Sequence, residues 1–60
     1  SLQALILAAL DDIEDGLTLI DLETLTNKNR GSLSRELAEL TRKGLVQASS
    51  ARPCVYSLIA

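Results

Sequence analysis

The sequence has no histidine, tryptophan, phenylalanine or methionine, and only one cysteine, one proline and one tyrosine. Each absence removes a class of chemistry. Without histidine, cysteine–histidine zinc sites and the Ser-His and Cys-His nucleophile arrangements are excluded. A single cysteine closes no internal disulfide. With Tyr56 as the one aromatic residue, the core must come from the leucine, isoleucine, valine and alanine that dominate the 47% apolar content. No apolar run approaches the ~20 residues that cross a bilayer; the longest is Ala4–Leu10. No secretory pattern follows Ser1 and no methionine precedes it, so the sequence reads as one domain, 1–60, taken from a longer chain. A chain of 60 residues can build one small core. With no disulfide or metal staple in view, a net stability of about 3–5 kcal/mol is expected.

Catalytic signals are missing too. No carboxylate pair is placed for general acid–base work, no glycine-rich phosphate loop is present, and so short a chain has no room for a substrate pocket of usual size. Asp11, Asp12, Glu14 and Asp15 have the composition of calcium ligands, but not the spacing of the twelve-residue loop. They read as a solvated, mutually repelling helix end. Neither enzyme activity nor a cofactor is expected.

What is present is a divided charge. The net value of −2 averages two unlike halves. Residues 1–26 carry Asp11, Asp12, Glu14, Asp15, Asp21 and Glu23 with no base, giving −6. Residues 27–60 carry Lys28, Arg30, Arg35, Arg42, Lys43 and Arg52 against Glu36 and Glu39, giving +4. Such segregation suggests one face built to meet an anion.

The local signals set the elements in order. Residues 2–14 read as a first helix of good helix formers. It is apolar nearly all round its first two turns, where a surface helix shows a stripe. It is therefore wrapped on several sides, or it packs against a second subunit or another segment. Gly16 is the expected stop. Leu17-Thr18 has room for a two-residue bridge. Thr18 then caps a second helix, 19–26, with Asp21 completing an approximate capping box. Leu19, Leu22 and Leu25 supply its period. Asn27 suits a left-handed turn position. Asn29 caps a third helix, 30–43, which Gly44 ends. Leu33, Leu37 and Leu40 form its buried stripe. A wing follows at 45–58: a strand at 45–48, a turn at 49–53 and a returning strand at 54–58. Pro53 is tolerated where a strand begins. The fold class is mainly α with a small β-hairpin, in the order of a three-helix winged helix-turn-helix.

Two stretches carry a family resemblance. "DLETLTNKNRGSLSRELAELTRKGLV" resembles the helix-turn-helix core of the MarR-like and ArsR-like winged-helix transcription regulators. "ARPCVYSLIA" is similar to their wing ending, in which an arginine precedes a tyrosine-any-leucine strand, here Arg52, Tyr56 and Leu58. The resemblance spans roughly residues 16–60. Lys28 and Thr26 depart from the apolar residues that these families often place near the turn. A fainter resemblance, to the winged domains that bind Z-form nucleic acid, fails on residues: the asparagine and tyrosine positions hold Ser34 and Ala38.

The resemblance implies double-stranded DNA binding, and the third helix has the side chains for it. At ~100° per residue, Gly31, Ser34, Arg35, Ala38 and Arg42 turn away from the leucine stripe. Small side chains allow close approach to a groove, and arginine reaches guanine or phosphate. Ser34 and Arg35 are the base-reading candidates. Asn29, Arg30 and Ser32 occupy the turn and first helical turn, whose amides also suit a phosphate oxygen. Lys28, Arg42 and Arg52 are positioning contacts to the backbone or the adjacent minor groove. Beside these stand plainer roles. Arg35 and Glu39 have the spacing of a surface ion pair, and Arg42 and Lys43 complement a helix C-terminus. Cys54 reads as a small strand residue and Tyr56 as packing for the wing. The alternative function is a winged helix used for protein contact, with the apolar first helix joining a second copy or a partner. No membrane role is expected. A DNA-binding domain would work in the cytoplasm, on the nucleoid of a bacterium or virus, or in a eukaryotic nucleus.

Overall fold

The computed structural model describes residues 1–59. Its elements run α1 (Leu2–Asp12), β1 (Leu17–Thr18), α2 (Leu19–Thr26), α3 (Arg30–Arg42), β2 (Val46–Ala48) and β3 (Val55–Leu58). The strands form one antiparallel sheet in the order β1-β3-β2. Leu17 pairs with Tyr56 and Thr18 with Val55, while Val46, Gln47 and Ala48 pair with Leu58, Ser57 and Tyr56. The wing is thus tied to the chain ahead of α2 by its own second strand.

α1 starts at Ser1, whose Oγ accepts from the Ala4 amide at 3.2 Å. It stops at Asp12, two residues short of the expected 14, and Ile13 is already extended. The negative end of the helix dipole repels Asp11, Asp12, Glu14 and Asp15, and no base offsets them there. Gly16 therefore does not cap the helix. It sits at φ +89° and closes a turn, its amide donating to the Ile13 carbonyl at 3.0 Å. A Cβ on Gly16 would lie 2.6 Å from the Tyr56 carbonyl oxygen and 2.7 Å from Val55 Cγ1. Only glycine lets β1 come this close to β3.

α2 opens with a reciprocal capping box. The Asp21 amide donates to Thr18 Oγ1 at 3.2 Å, and the Thr18 amide donates to Asp21 Oδ2 at 3.1 Å. Leu22 is fully buried and Leu19 half-buried, but Leu25 is 59% exposed. The expected period drifts: each three-residue step falls about 60° short of a full turn, so Leu25 lies about 120° from Leu19. Thr26 takes the inner position instead, half-buried, with its hydroxyl donating to the Leu22 carbonyl at 2.7 Å.

Asn27 adopts the left-handed conformation at φ 56° and ψ 33°. Asn29 caps α3, its Oδ1 accepting from the Ser32 amide at 2.8 Å. α3 ends at Arg42, with Lys43 as the cap rather than the last helical residue. Gly44, at φ +80°, donates to Thr41, and Leu45 donates to Leu40, both at 3.0 Å. That pair of bonds is a Schellman motif. It occupies Leu45, so β2 begins at Val46 and not at 45. Cys54 stays outside β3 for a similar reason: its thiol donates to the Ser49 carbonyl at 3.0 Å, and Ser49 Oγ accepts from the Val55 amide at 3.0 Å.

One core joins the elements. Ile6 and Leu10 of α1, Leu22 of α2 and the Leu33, Leu37 and Leu40 stripe of α3 are buried together with Leu17 and Val46. α1 packs against α2, α3 and β3, which explains most of its apolar surface. Ala4, Leu5 and Ala8 remain open.

Candidate nucleic-acid interface

The buried leucine stripe orients α3 and leaves its opposite face free. Gly31, Ser34, Arg35, Ala38 and Arg42 are all exposed on that face, as the helical period requires. Lys28 is exposed in the turn before it, and Arg52 in the loop 49–54 between the wing strands. Turn, helix and wing tip are thus three exposed sites of positive charge carried by consecutive parts of the fold.

The eight candidate residues are not equivalent. Lys28, Arg35 and Arg52 make no ion pair among the described residues. Arg30 is held by Glu23 of α2, with Nε 3.0 Å and Nη2 2.9 Å from the same carboxylate oxygen. Arg42 is held by Glu39, with Nε donating to Oε2 at 3.1 Å and Nη2 paired with Oε1. The hydrogen bond from Arg42 holds the Glu39 carboxyl below its ordinary range, and the same bond raises Arg42. Ser34 is exposed beside Arg35. Asn29 and Ser32 are engaged with each other through the helix cap, and Leu33 donates to the Asn29 carbonyl at 3.1 Å. Of the first-turn amides that have no partner within the helix, that of Ser32 is thereby taken.

The Arg35–Glu39 pair suggested by spacing does not form. Glu39 faces Arg42 instead. A carboxylate placed N-terminal to its base accords with the helix dipole, whereas Arg35 before Glu39 runs against it. Lys43 is also drawn off. Its Nζ donates to Gln3 Oε1 at 3.2 Å, and Gln3 Nε2 donates to Glu36 Oε1 at 2.8 Å. This bridge ties α1 to the side of α3. Sequence reasoning missed both Glu23 and Gln3. Glu23 reaches Arg30 across the α2–α3 turn, where no regular spacing signals a contact.

Beneath the wing lies an open groove of about 260 Å³, lined by Thr18, Leu19, Ile20, Arg30, Pro53, Cys54 and Tyr56. Tyr56 is half-buried there. Its phenol is pushed above its ordinary value, first by burial and then by neighbouring Cys54. Among the described residues no His, Cys, Asp and Glu cluster is placed to hold a metal, and no helix is long and apolar enough to cross a membrane.

Three helices, a tight turn between the second and third, and a wing tied back to β1 define a winged helix-turn-helix domain. Residues 1–52 match the MarR family, and the chain belongs to that family. It is a family of transcription regulators. The match takes in α1 and stops at Arg52, before β3. No curated protein matches the chain.

Proposed function

We propose that this domain binds double-stranded DNA, with α3 in the major groove and the wing loop against the neighbouring backbone or minor groove. It acts as the DNA-binding part of a transcription regulator or of a phage or plasmid protein. The observation that carries the reading is the placement of the bases that have no ion pair among the described residues. Lys28, Arg35 and Arg52 lie on the turn, the outer face of α3 and the wing loop. Arg35 has the reach and fork geometry for guanine, with Ser34 and Ala38 small enough to let the helix approach. Lys28 and Arg52 serve the phosphates, and Arg30 and Arg42 contact them only by leaving their glutamates. Asn29 and Ser32 shape the start of the helix that is presented to the groove. Such a domain works where its DNA is: the cytoplasm and nucleoid, or a nucleus.

A second reading concerns α1. Its open residues Ala4, Leu5 and Ala8 offer an apolar strip on the far side of the core stripe. We assign that strip to contact with a second copy or a partner protein, used together with DNA binding. Two linked heads on one site raise a weak single-head affinity through effective concentration.

The test is binding to mixed-sequence duplex DNA across a salt series, with Arg35→Ala and Arg52→Ala beside the parent. The parent should show a log–log slope of several released counterions, lowered by about one in each variant. Absence of binding at low salt would overturn the reading and direct attention to α1.

A further inference from the structure

α3 carries three arginines, and their surroundings differ. Arg35, the middle one, has no carboxylate partner among the described residues. The arginines on either side of it are each clamped: Arg30 by Glu23 from α2, and Arg42 by Glu39 within α3. Neither clamp is needed by the core, since the Arg30 and Arg42 side chains are 61% and 71% exposed. Ion pairs so open to water add little to folding. Their larger effect falls on any anion that approaches α3, at Arg42 on the face it shares with Arg35 and at Arg30 on the N-terminal end of the helix beside the wing groove.

Resting on the reading of α3 as the DNA-facing helix, we propose that Glu23 and Glu39 restrain sequence-independent attachment to phosphate. Non-specific binding is supplied by bases that neutralise phosphates and release counterions. An arginine already paired gains less from a phosphate, because it must leave one anion to reach another. The carboxylate left behind then repels the phosphate. Arg35 is under no such restraint and keeps its full reach toward a base edge. The two glutamates thus depress the background more than they depress recognition of a site, where base contacts add to phosphate contacts. Specificity is a difference of affinities, and a repulsive element against the wrong partner widens it.

The experiment is a salt titration on a random-sequence duplex. The chains compared are the parent, Glu23→Gln, Glu39→Gln, Arg30→Gln, Arg42→Gln and the two double variants that remove both members of a pair. Each glutamate variant should bind roughly threefold or more tighter at low salt, with a slope steeper by about one, the effect of one added phosphate contact. Each double variant should gain much less over its arginine-only variant than the glutamate variant gains over the parent, because the base released by the first change is gone and only the carboxylate's repulsion is lifted. A gain of the same size in the double variants reports net charge alone and overturns the proposal. Unchanged binding in both single glutamate variants also overturns it. Thermal melts check that each chain is folded; should Glu23→Gln unfold, Glu39→Gln on the more open pair carries the test. The two levels separate cleanly. A parent with an Arg35-dependent slope but no response at the glutamates leaves the DNA reading standing without the restraint. A parent with no binding at all removes both.

Discussion

α1 and α3 are the two longest helices, and their inner faces do the same work while their outer faces do not. α1 buries Ile6 and Leu10, and α3 buries Leu33, Leu37 and Leu40, in the same core. On the outside, α1 shows Ala4, Leu5 and Ala8 and no charge before Asp11. α3 shows Gly31, Ser34, Arg35, Ala38 and Arg42. A helix needs one apolar stripe to dock on a core. The difference teaches that the core leaves the opposite face unspecified. Under the proposed function, the chemistry there answers to DNA on α3 and to a second copy or partner on α1.

The comparison breaks most readily on the inner faces, where the largest effects lie. Ile6→Ala and Leu37→Ala should each cost about 2–5 kcal/mol in urea unfolding, enough to unfold much of so small a domain. A large cost for one and a trivial cost for the other would show that the two helices do not share one core. Gly16→Ala should come next, at about 1–3 kcal/mol, from positive-φ strain and the close approach of β3. Loss of that cost would mean that β1 parts from the sheet freely. Asn29→Ala and Thr18→Ala should each lower stability by about 1 kcal/mol, measured by thermal melts.

The outer faces sharpen the contrast with smaller changes. Leu5→Ser and Arg35→Ala should both leave stability within about 0.5 kcal/mol of the parent. Only Arg35→Ala should lower the DNA salt slope, by about one. An equal loss of binding from Leu5→Ser would make α1 part of the same DNA-binding event. The smallest effect concerns Tyr56. Burial raises its folded value above the ordinary one of 10.0, so the unfolded chain loses the proton first as pH rises. Tyr56 therefore leaves stability intact below about pH 10 and lowers it as pH climbs through the folded value. Melting midpoints from about pH 9 to 11 should fall further for the parent than for Tyr56→Phe.

Signals that act within a few residues are legible in the sequence. Thr18 with Asp21, Asn27, Asn29 and Gly44 all serve in the roles that their side chains and backbone preferences suggest. So do the α3 stripe and its open face, because a strict helical period over thirteen residues has one inner side. Expectation and structure part where a short pattern meets a competing force. Leu25 keeps the three-residue spacing but drifts off the core side, and α1 ends early against its own acidic tail. Contacts between elements are not legible. Glu23 with Arg30, Gln3 with Glu36 and Lys43, and β1 with β3 join residues whose separation in sequence carries no periodic sign.

By itself, the sequence determined the caps of α2 and α3, the turn between them, the order of elements and the basic character of the second half. These depend on side chains bonding to nearby backbone and on which residues leave water, and both are properties of short stretches. The tertiary structure decided which of the bases, among the described residues, are drawn to other elements. Ion pairs form between whichever side chains packing brings within a few ångströms. The docking of α2 and α1 on α3 set Arg30 beside Glu23 and Lys43 beside Gln3, whereas the Arg42–Glu39 pair that leaves Arg35 open lies within α3 and needs no docking.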